Sequence, residues 1–289
     1  MKMSKLFTCF TLLCLSCSSW AVVVSDTVYI NRGEMMAVDS TMMPYFAFNA
    51  SNIFEVENHR ILLNVGDDLI LTIINTDTVA HGFDIKDYVN VDTLISAQDS
   101  AVIYQTFTVP SAYIYYDYSN AGSFRYMGLA GMIVVEDPTA QTSSFYWNLK
   151  EHQKSFNVDL SQGLTVDWTN YYPDYFTVNG RSNPHINADT NARVLGNVGD
   201  TIKIYMVNTG QSIHSMHFHG YHGEIKYSSK FPMHAGRIKD TFPAHSMEVM
   251  IIELVPDQIG EYPVHDHNLV AVSGGNIYPN GMFVTILID

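Results

Sequence analysis

Short apolar runs recur along the whole chain and are separated by clusters of Gly, Pro, Asn and Asp. Runs of this length and spacing predict β-strands, and no long segment has the 3.6-residue period of an amphipathic helix. The runs are Ile61–Val65, Leu69–Ile74, Ile133–Val135, Ile202–Val207, Val249–Leu254 and Phe283–Ile288. The pattern therefore predicts an all-β sandwich or barrel.

The pattern also repeats. Val65–Asn75 matches Val198–Asn208 at an offset of 133 residues, and the same offset aligns His81 with His214. The flanking matches are Tyr45–Asn49 with Tyr175–Asn179, Tyr113–Asn120 with the segment from Tyr262 onward, and Gly131-Met132 with Gly281-Met282. Matches in the same order predict a duplicated domain, with one copy at 22–140 and the other at 141–289.

The first 21 residues are typical of a secretory signal peptide. Lys2 and Lys5 form a basic start, Leu6–Leu15 is apolar, and Ser19 and Ala21 are the small residues of a cleavage site. We expect cleavage after Ala21 and a periplasmic or secreted protein of about 268 residues. Since Cys9, Cys14 and Cys17 all lie in this segment, the mature chain would have no thiol.

The charge balance excludes two classes of partner. Removing Lys2 and Lys5 from the 15 basic residues leaves 13 against 29 acidic ones, a net charge of −16 with histidine neutral. Such a chain should repel nucleic acid and anionic membrane surfaces. The apolar stretch of the signal is also too short to span a bilayer, so we expect no membrane insertion.

Two histidine pairs near the end of the chain carry the clearest chemistry. They are His217 with His219, and His265 with His267. Residues i and i+2 of a strand point to the same face, roughly 6.6 Å apart, so pairs on neighbouring strands would present four imidazoles to one point. Imidazole suits copper, zinc, iron and nickel, so this spacing predicts a transition metal without naming it.

The repeat shows that only the second copy has this chemistry. The aligned residues are His217 with Asp84, His219 with Lys86, His265 with Tyr116, Asp266 with Asp117, and His267 with Tyr118. The first copy therefore has the same strand pattern but is not expected to contain a complete metal site.

The segments His214–Gly220 and Gly260–His267 resemble the copper-binding motifs of the multicopper oxidases, the family of laccases, ceruloplasmin and copper nitrite reductases. The resemblance implies two tandem cupredoxin-like domains of Greek-key topology, with copper as the cofactor. In the family the first histidine of the motif binds the type 1 copper, and the later pair binds the type 2 and type 3 cluster. Met282 lies in a place similar to the axial methionine.

Two departures from the family pattern change the expected site. Asp266 stands where the family has its type 1 cysteine, and Ala271 stands where the next type 1 histidine should be. A blue copper centre needs the thiolate, so we expect none here. What remains is a type 2-like site of His217, His219, His265 and His267 for one or two copper ions, with zinc as the competing occupant.

Asp266 should point to the opposite face of its strand from the two histidines beside it. His214 could share that face, where either a weak second metal site or an Asp-His hydrogen bond could form. We expect the hydrogen bond. Of the other histidines, His81, His185, His222, His234 and His245 are expected at the surface or behind the ligands.

The methionine doublets Met35-Met36 and Met42-Met43 allow two interpretations. Their thioethers could bind Cu(I), which prefers soft ligands. Methionine is also an ordinary filler of core gaps, and this is the interpretation we expect.

The resemblance implies an exported oxidoreductase whose copper meets a small oxidant or reductant. The alternatives are a non-enzymatic protein that stores or delivers copper in the cell envelope, and a structural module that lost its chemistry. Two-domain relatives commonly form trimers with copper sites between subunits, so a homotrimer is a further expectation.

Overall fold

The computed structural model describes residues 22–89 and 91–289, and within them the regular secondary structure is mostly β-strand. The all-β prediction is confirmed. The predicted signal peptide and its cleavage after Ala21 lie outside the described residues. No helix in the described part of the chain is long and apolar enough to cross a membrane.

Two sheets are built from the first half of the chain. One has the strand order β2-β1-β4-β7, and the other has the order β3-β9-β8-β5-β6. The strands are β1 (Val23–Met36), β2 (Met42–Asn49), β3 (Ile61–Asn64), β4 (Asp68–Asn75), β5 (His81–Ile85), β6 (Thr93–Ile95), β7 (Ser100–Thr106), β8 (Ser111–Tyr116) and β9 (Ala130–Glu136).

Two further sheets come from the second half, with strand orders β11-β10-β13-β18-β15-β16 and β12-β20-β19-β14-β17. The strands are β10 (Ser143–His152), β11 (Tyr175–Val178), β12 (Val194–Gly196), β13 (Ile202–Asn208), β14 (His214–Phe218), β15 (Gly223–Ser228), β16 (Ile238–Lys239), β17 (Thr241–Ala244), β18 (Glu248–Leu254), β19 (Gly260–Asp266) and β20 (Phe283–Ile288).

The helical segments are short connections. The α-helices are α1 (Ser123–Tyr126) and α2 (Lys154–Ser161), and the 3-10 turns are Asn120–Gly122, Trp168–Asn170, His185–Ala188, Pro232–His234 and Leu269–Val272. No apolar run predicted as a strand is helical in the described residues.

Each half has its own apolar core between its two sheets. Phe48, Phe83 and Tyr115 are fully buried in the first core, and Trp147 and Phe218 in the second. A third cluster joins the halves, because Ile114 and Val134 pack with Tyr205, Val207 and Ile251. Among residues 22–89 and 91–289 no sheet mixes strands of the two halves, and the domain boundary near residue 140 stays a prediction.

The strand register reproduces the alignment of the two repeats. Asp84 lies opposite Tyr116 in the β5–β8 pair, as His217 lies opposite His265 in the β14–β19 pair. The Tyr116 hydroxyl donates to Asp84 Oδ2 at 3.0 Å. At the position where the second half pairs two imidazoles, the first half therefore has a phenol and a carboxylate bonded to each other.

Candidate metal site

His217 lies near the end of β14, where the predicted ligands meet. Its strand β14 lies between β17 and β19, so His217 faces Thr241 on one side and His265 on the other. His217 and His265 are partly buried, whereas Met216, Phe218 and Val264 beside them point into the core. His219 and His267 follow directly after the last residues of β14 and β19, and both are exposed.

The structure brings all four predicted imidazoles together. The ring centroid of His217 lies 4.8 Å from that of His219, 5.7 Å from that of His265 and 5.3 Å from that of His267. The His219 and His265 centroids are 5.1 Å apart. Alternation along two paired strands thus places the rings on one face, as the spacing predicts.

A chain of hydrogen bonds fixes which nitrogen of His217 is free. The Thr241 hydroxyl donates to Asp240 Oδ1 at 2.9 Å, so Thr241 Oγ1 accepts the proton of His217 Nδ1 at 3.0 Å. The proton therefore lies on Nδ1 and leaves Nε2 of His217 with a free lone pair. Orientation of a metal-binding imidazole through its second nitrogen is a common feature of metal sites.

His265 is oriented in the same way by a backbone acceptor. Its Nδ1 donates to the carbonyl oxygen of Asp266 at 3.0 Å, which leaves Nε2 as an acceptor. That atom lies 3.0 Å from Nε2 of His219. In the metal-free state His219 must donate this bond from Nε2, so ligation through that atom requires its proton to leave or to move to Nδ1.

The rings are close to a metal-binding arrangement without being a complete one. Two imidazole nitrogens bound to one ion at about 2.0–2.1 Å lie roughly 2.8–3.4 Å apart, and the His219 and His265 Nε2 atoms fall within this range. In residues 22–89 and 91–289, however, no group of three or more His, Cys, Asp or Glu side chains forms a ready metal-binding cluster. The donor set fits copper or zinc, and His219 and His265 are the pair whose nitrogens already lie at ligand spacing.

Burial and like charges both favour the neutral imidazole that a metal requires. Partial loss of water around the exposed ring of His219 lowers its pKa, and the neighbouring rings of His217 and His265 lower it further. Metal ions compete with protons for the same lone pairs, so a lowered pKa keeps the ligand available near neutral pH.

His214 and Asp266 lie on the other face of the sheet and are separate from the four rings. Both are fully buried, together with Glu151 of β10. His214 Nδ1 donates to Asp266 Oδ2 at 2.6 Å, and Nε2 donates to Glu151 Oε2 at 2.9 Å. Neither ring nitrogen is free for a metal, so the structure favours the hydrogen bond over the second metal site.

The charge state of this group follows from its partners. Burial alone lowers the pKa of His214, but the hydrogen bonds to Asp266 and Glu151 outweigh burial and raise the pKa to about 9. Burial raises the pKa of Glu151, but bonding to His214 and to the Ser212 and Gln211 amides brings the pKa down to about 2. At neutral pH, His214 is therefore an imidazolium held between two carboxylates.

The first half contains a second group of the same kind. His81, expected at the surface or behind the ligands, is fully buried, and its Nδ1 donates to Asp117 Oδ2 at 2.7 Å. Its Nε2 donates to Asp77 Oδ2 at 3.0 Å. Burial lowers the pKa of His81, but the bonds to these two carboxylates raise it overall.

The backbone around the two aspartates is also equivalent. Asp117 Oδ1 accepts from the amides of Gly82 and Ser119 at 2.9 and 2.7 Å, and Asp266 Oδ1 accepts from those of Ser215 and Asn268 at 3.0 and 2.9 Å. In both halves the donors are the residue after the histidine and the second residue after the aspartate. The same arrangement of histidine, aspartate and backbone amides thus occurs once in each half.

The sequence predicted the His214–Asp266 hydrogen bond, but it missed the equivalent pair in the first half and two further groups of residues. The repeat aligns His81 with His214 and Asp117 with Asp266, so the His81–Asp117 pair was open to prediction. The second carboxylate partners of the two histidines do not align in the repeat. Asp77 lies four residues before His81, whereas Glu151 comes from β10, far from His214 in sequence. Asp240 and Thr241 carry no motif of their own, and only strand pairing places them beside His217.

The second half of the chain matches a family model. Residues 152–287 match the multicopper oxidase domain. Comparison with curated proteins found no match. The resemblance to the multicopper oxidase and cupredoxin superfamily is therefore confirmed in the part of the chain that contains the histidine pairs.

Solved structures show the same fold over both halves. A blue copper oxidase from Nitrosomonas europaea has 19% identity and a TM-score of 0.79, with 91% of this chain and 85% of that chain covered. Copper nitrite reductase from the same organism has 16% identity and a TM-score of 0.71, covering 92% and 94%. A laccase from Botrytis aclada has 12% identity and a TM-score of 0.71, covering 93% and 53%. At these identities the likeness shows the cupredoxin-like fold alone.

Proposed function

We propose, taking residues 152–287 as a multicopper oxidase domain, that this chain is an exported copper-dependent oxidoreductase with a type 2-like site and no blue copper centre. The observation that carries the proposal is the gathering of His217, His219, His265 and His267 on one sheet face. Copper rather than zinc is favoured by the family match and by its higher intrinsic affinity for imidazole.

The residues of this chain have distinct tasks in the proposed site. His217 and His265 present Nε2 lone pairs whose orientation is fixed by Thr241 and by the Asp266 carbonyl. His219 and His267 are exposed, so the same face is open to solvent and to a small molecule. Copper bound there supplies one-electron chemistry between its Cu(II) and Cu(I) states.

The proposed site lacks an internal electron entry. In the family pattern electrons enter through the type 1 centre, whose position here holds the His214 imidazolium between Asp266 and Glu151. The mature chain would contain no cysteine to replace that centre. A reductant would therefore have to act directly at the open face, which favours a small substrate.

The experiment for metal binding is metal analysis of purified, copper-loaded protein. We expect one or two copper ions per chain, and loss of this copper in the double variant His217→Ala/His267→Ala. The His234→Ala variant is the control, since His234 stacks on Phe231 outside the cluster. Copper retained at full stoichiometry by the double variant would contradict the proposal.

A copper storage or delivery protein of the cell envelope is the second candidate function. The absence of a type 1 thiolate favours it, because a carrier needs no electron entry. Assays with phenols, Cu(I) and nitrite separate the two functions. Turnover of any of them by the copper-loaded protein supports the enzyme, and copper transfer to a chelator without turnover supports the carrier.

Assembly could complete the site. We propose a homotrimer in which a neighbouring chain contributes further ligands to the half-set of histidines. Sedimentation analysis of the copper-loaded protein tests this, and a monomer that retains all its copper would contradict it.

A further inference from the structure

A groove with a volume of about 350 Å³ lies where the two halves of the chain meet. The first half contributes the residues after β5 and the start of β8, and the second half contributes β15 and β18. The volume is typical of a site for a small organic molecule. The lining residues with polar or aromatic side chains include Lys86, Asp87, Tyr88, Ser111, Tyr113 and Tyr227.

Tyrosine rings form the walls of this groove. Tyr88 meets Tyr113 edge to face, with ring centroids 5.3 Å apart and ring planes at 77°. The buried ring of Phe107 supports both, with centroid distances of 5.2 and 4.9 Å. Tyr227 is the wall from the second half and is 40% exposed. Aromatic rings pair well in edge-to-face and offset-stacked arrangements, so these walls favour a planar aromatic ligand.

The lining of the groove favours a ligand without charge. Its charged residues, Lys86 and Asp87, form an ion pair with each other. Burial raises the pKa of Tyr113, and burial with Asp87 and Tyr88 nearby raises the pKa of Tyr227, so both phenols are neutral near pH 7. An ionised ligand would have to break the ion pair or stay without a partner.

Ser111 supplies an unused hydrogen-bonding group. It is the first residue of β8, lines the groove and is 5% exposed. Its hydroxyl has no hydrogen-bond partner among residues 22–89 and 91–289. Buried hydroxyls are normally paired, so this one marks a position where a polar group of a ligand can bond. Ser229 Oγ, also in the lining, accepts from the Val249 amide at 3.0 Å and can donate its own proton.

We propose that this groove binds a small neutral aromatic molecule that carries a hydroxyl group. The ring of the ligand packs against Tyr88, Tyr113 and Tyr227, and its hydroxyl bonds to Ser111. None of the four paired histidines lines the groove. Binding therefore needs no metal, and the metal-free protein can test this site without testing the proposed copper centre.

The test follows the tyrosine rings of the metal-free full chain, labelled with ¹³C, during a titration with 4-methylphenol. We expect the Tyr88, Tyr113 and Tyr227 signals to shift on one binding curve, while Tyr278 stays unmoved. Tyr278 is the matched control because it is 69% exposed and does not line the groove. Unmoved groove signals in a solution saturated with 4-methylphenol would overturn the proposal.

A charge series tests the kind of ligand. 4-Methylbenzoate and 4-methylbenzylammonium have similar rings with a negative and a positive charge, and both should bind more weakly than 4-methylphenol. Equal or tighter binding of either ion would overturn the assignment of a neutral ligand.

Substitutions test the residues of the groove. Tyr227→Ala removes one wall at a half-exposed position and should lower the affinity for 4-methylphenol by about 2- to 10-fold. Tyr278→Ala should leave the affinity unchanged, and equal affinity in Tyr227→Ala and the wild type would overturn the site. Ser111→Ala should lower the preference for 4-methylphenol over toluene by about 2- to 10-fold, because toluene lacks the hydroxyl. An unchanged preference would overturn the place of Ser111 in the site.

Discussion

The imidazole of His214 donates to Asp266 Oδ2 at 2.6 Å across two neighbouring strands. Asp266 is also the residue between His265 and His267, and its carbonyl accepts from His265 Nδ1. One aspartate therefore holds a buried imidazolium on one face of the sheet and orients a candidate copper ligand on the other. Asp266 stands where the resemblance places the type 1 cysteine, and in the fold it forms a buried ion group with His214 and Glu151.

Loss of the carboxylate at position 266 should destabilise the fold. Asp266→Asn keeps the shape of the side chain but leaves the His214 imidazolium with only Glu151 as its counter-ion. Breaking a buried ion pair costs about 3–5 kcal/mol, so we expect a loss of that order in urea unfolding. Asp117→Asn is the matched variant in the first half and should have a similar effect. A change below about 1 kcal/mol in both variants would contradict the ion-group assignment.

The stability of the protein should fall at high pH because of His214. Its pKa rises from 6.5 in the unfolded chain to about 9 in the fold, so its contribution is complete below 6.5 and is lost as the pH rises through 9. A shift of this size corresponds to about 3 kcal/mol. The difference in unfolding free energy between wild type and His214→Gln isolates this group from other titrations. A difference that stays constant from pH 6 to pH 10 would contradict the raised pKa.

Glu151, the acidic partner of His214, should make the stability depend on pH in the opposite direction. The pKa of Glu151 is lowered from 4.5 to about 2, so its contribution is present above 4.5 and is lost as the pH falls through 2. The unfolding free energy of the wild type should therefore exceed that of Glu151→Gln by the largest amount above about pH 4.5. Unfolding followed by tryptophan fluorescence measures this difference in free energy. A difference that grows as the pH falls below 4 would contradict the lowered pKa of Glu151.

Thr241 should affect the copper affinity of the site more than the stability of the fold. Thr241→Val removes the acceptor of the His217 Nδ1 proton and leaves the ring free to turn. Loss of a hydrogen bond that orients a metal ligand typically lowers affinity by about 10–100-fold. Competition with a copper chelator measures this loss, and Thr241→Ser should restore affinity because its hydroxyl keeps the bond. Equal affinity in Thr241→Val and the wild type would show that Thr241 does not position His217.

The sequence predicted the parts of the fold that depend on local pattern. The apolar runs became strands, and the i and i+2 spacing put His217 and His219 beside His265 and His267. The repeat alignment placed Asp84 on His217 and Tyr116 on His265, and the strand register pairs Asp84 with Tyr116 as it pairs His217 with His265. Each of these follows from the period of a strand and needs no knowledge of distant contacts.

The remaining parts of the site depend on which strands become neighbours. Glu151 reaches His214 only because β10 packs against β13, and Thr241 reaches His217 only because β17 pairs with β14. His81 was expected only at the surface or behind the ligands, because a single histidine in the first copy has no motif around it. Its burial follows from Asp77 and Asp117, whose two carboxylates make a buried imidazolium tolerable.

The most direct test of the proposed site is an electron paramagnetic resonance and visible absorption spectrum of the copper-loaded protein. Nitrogen ligation by His217, His219, His265 and His267, with no thiolate, predicts a type 2 signal without an intense blue absorption. A blue copper spectrum would contradict the assignment of Asp266 and His214 to an ion group.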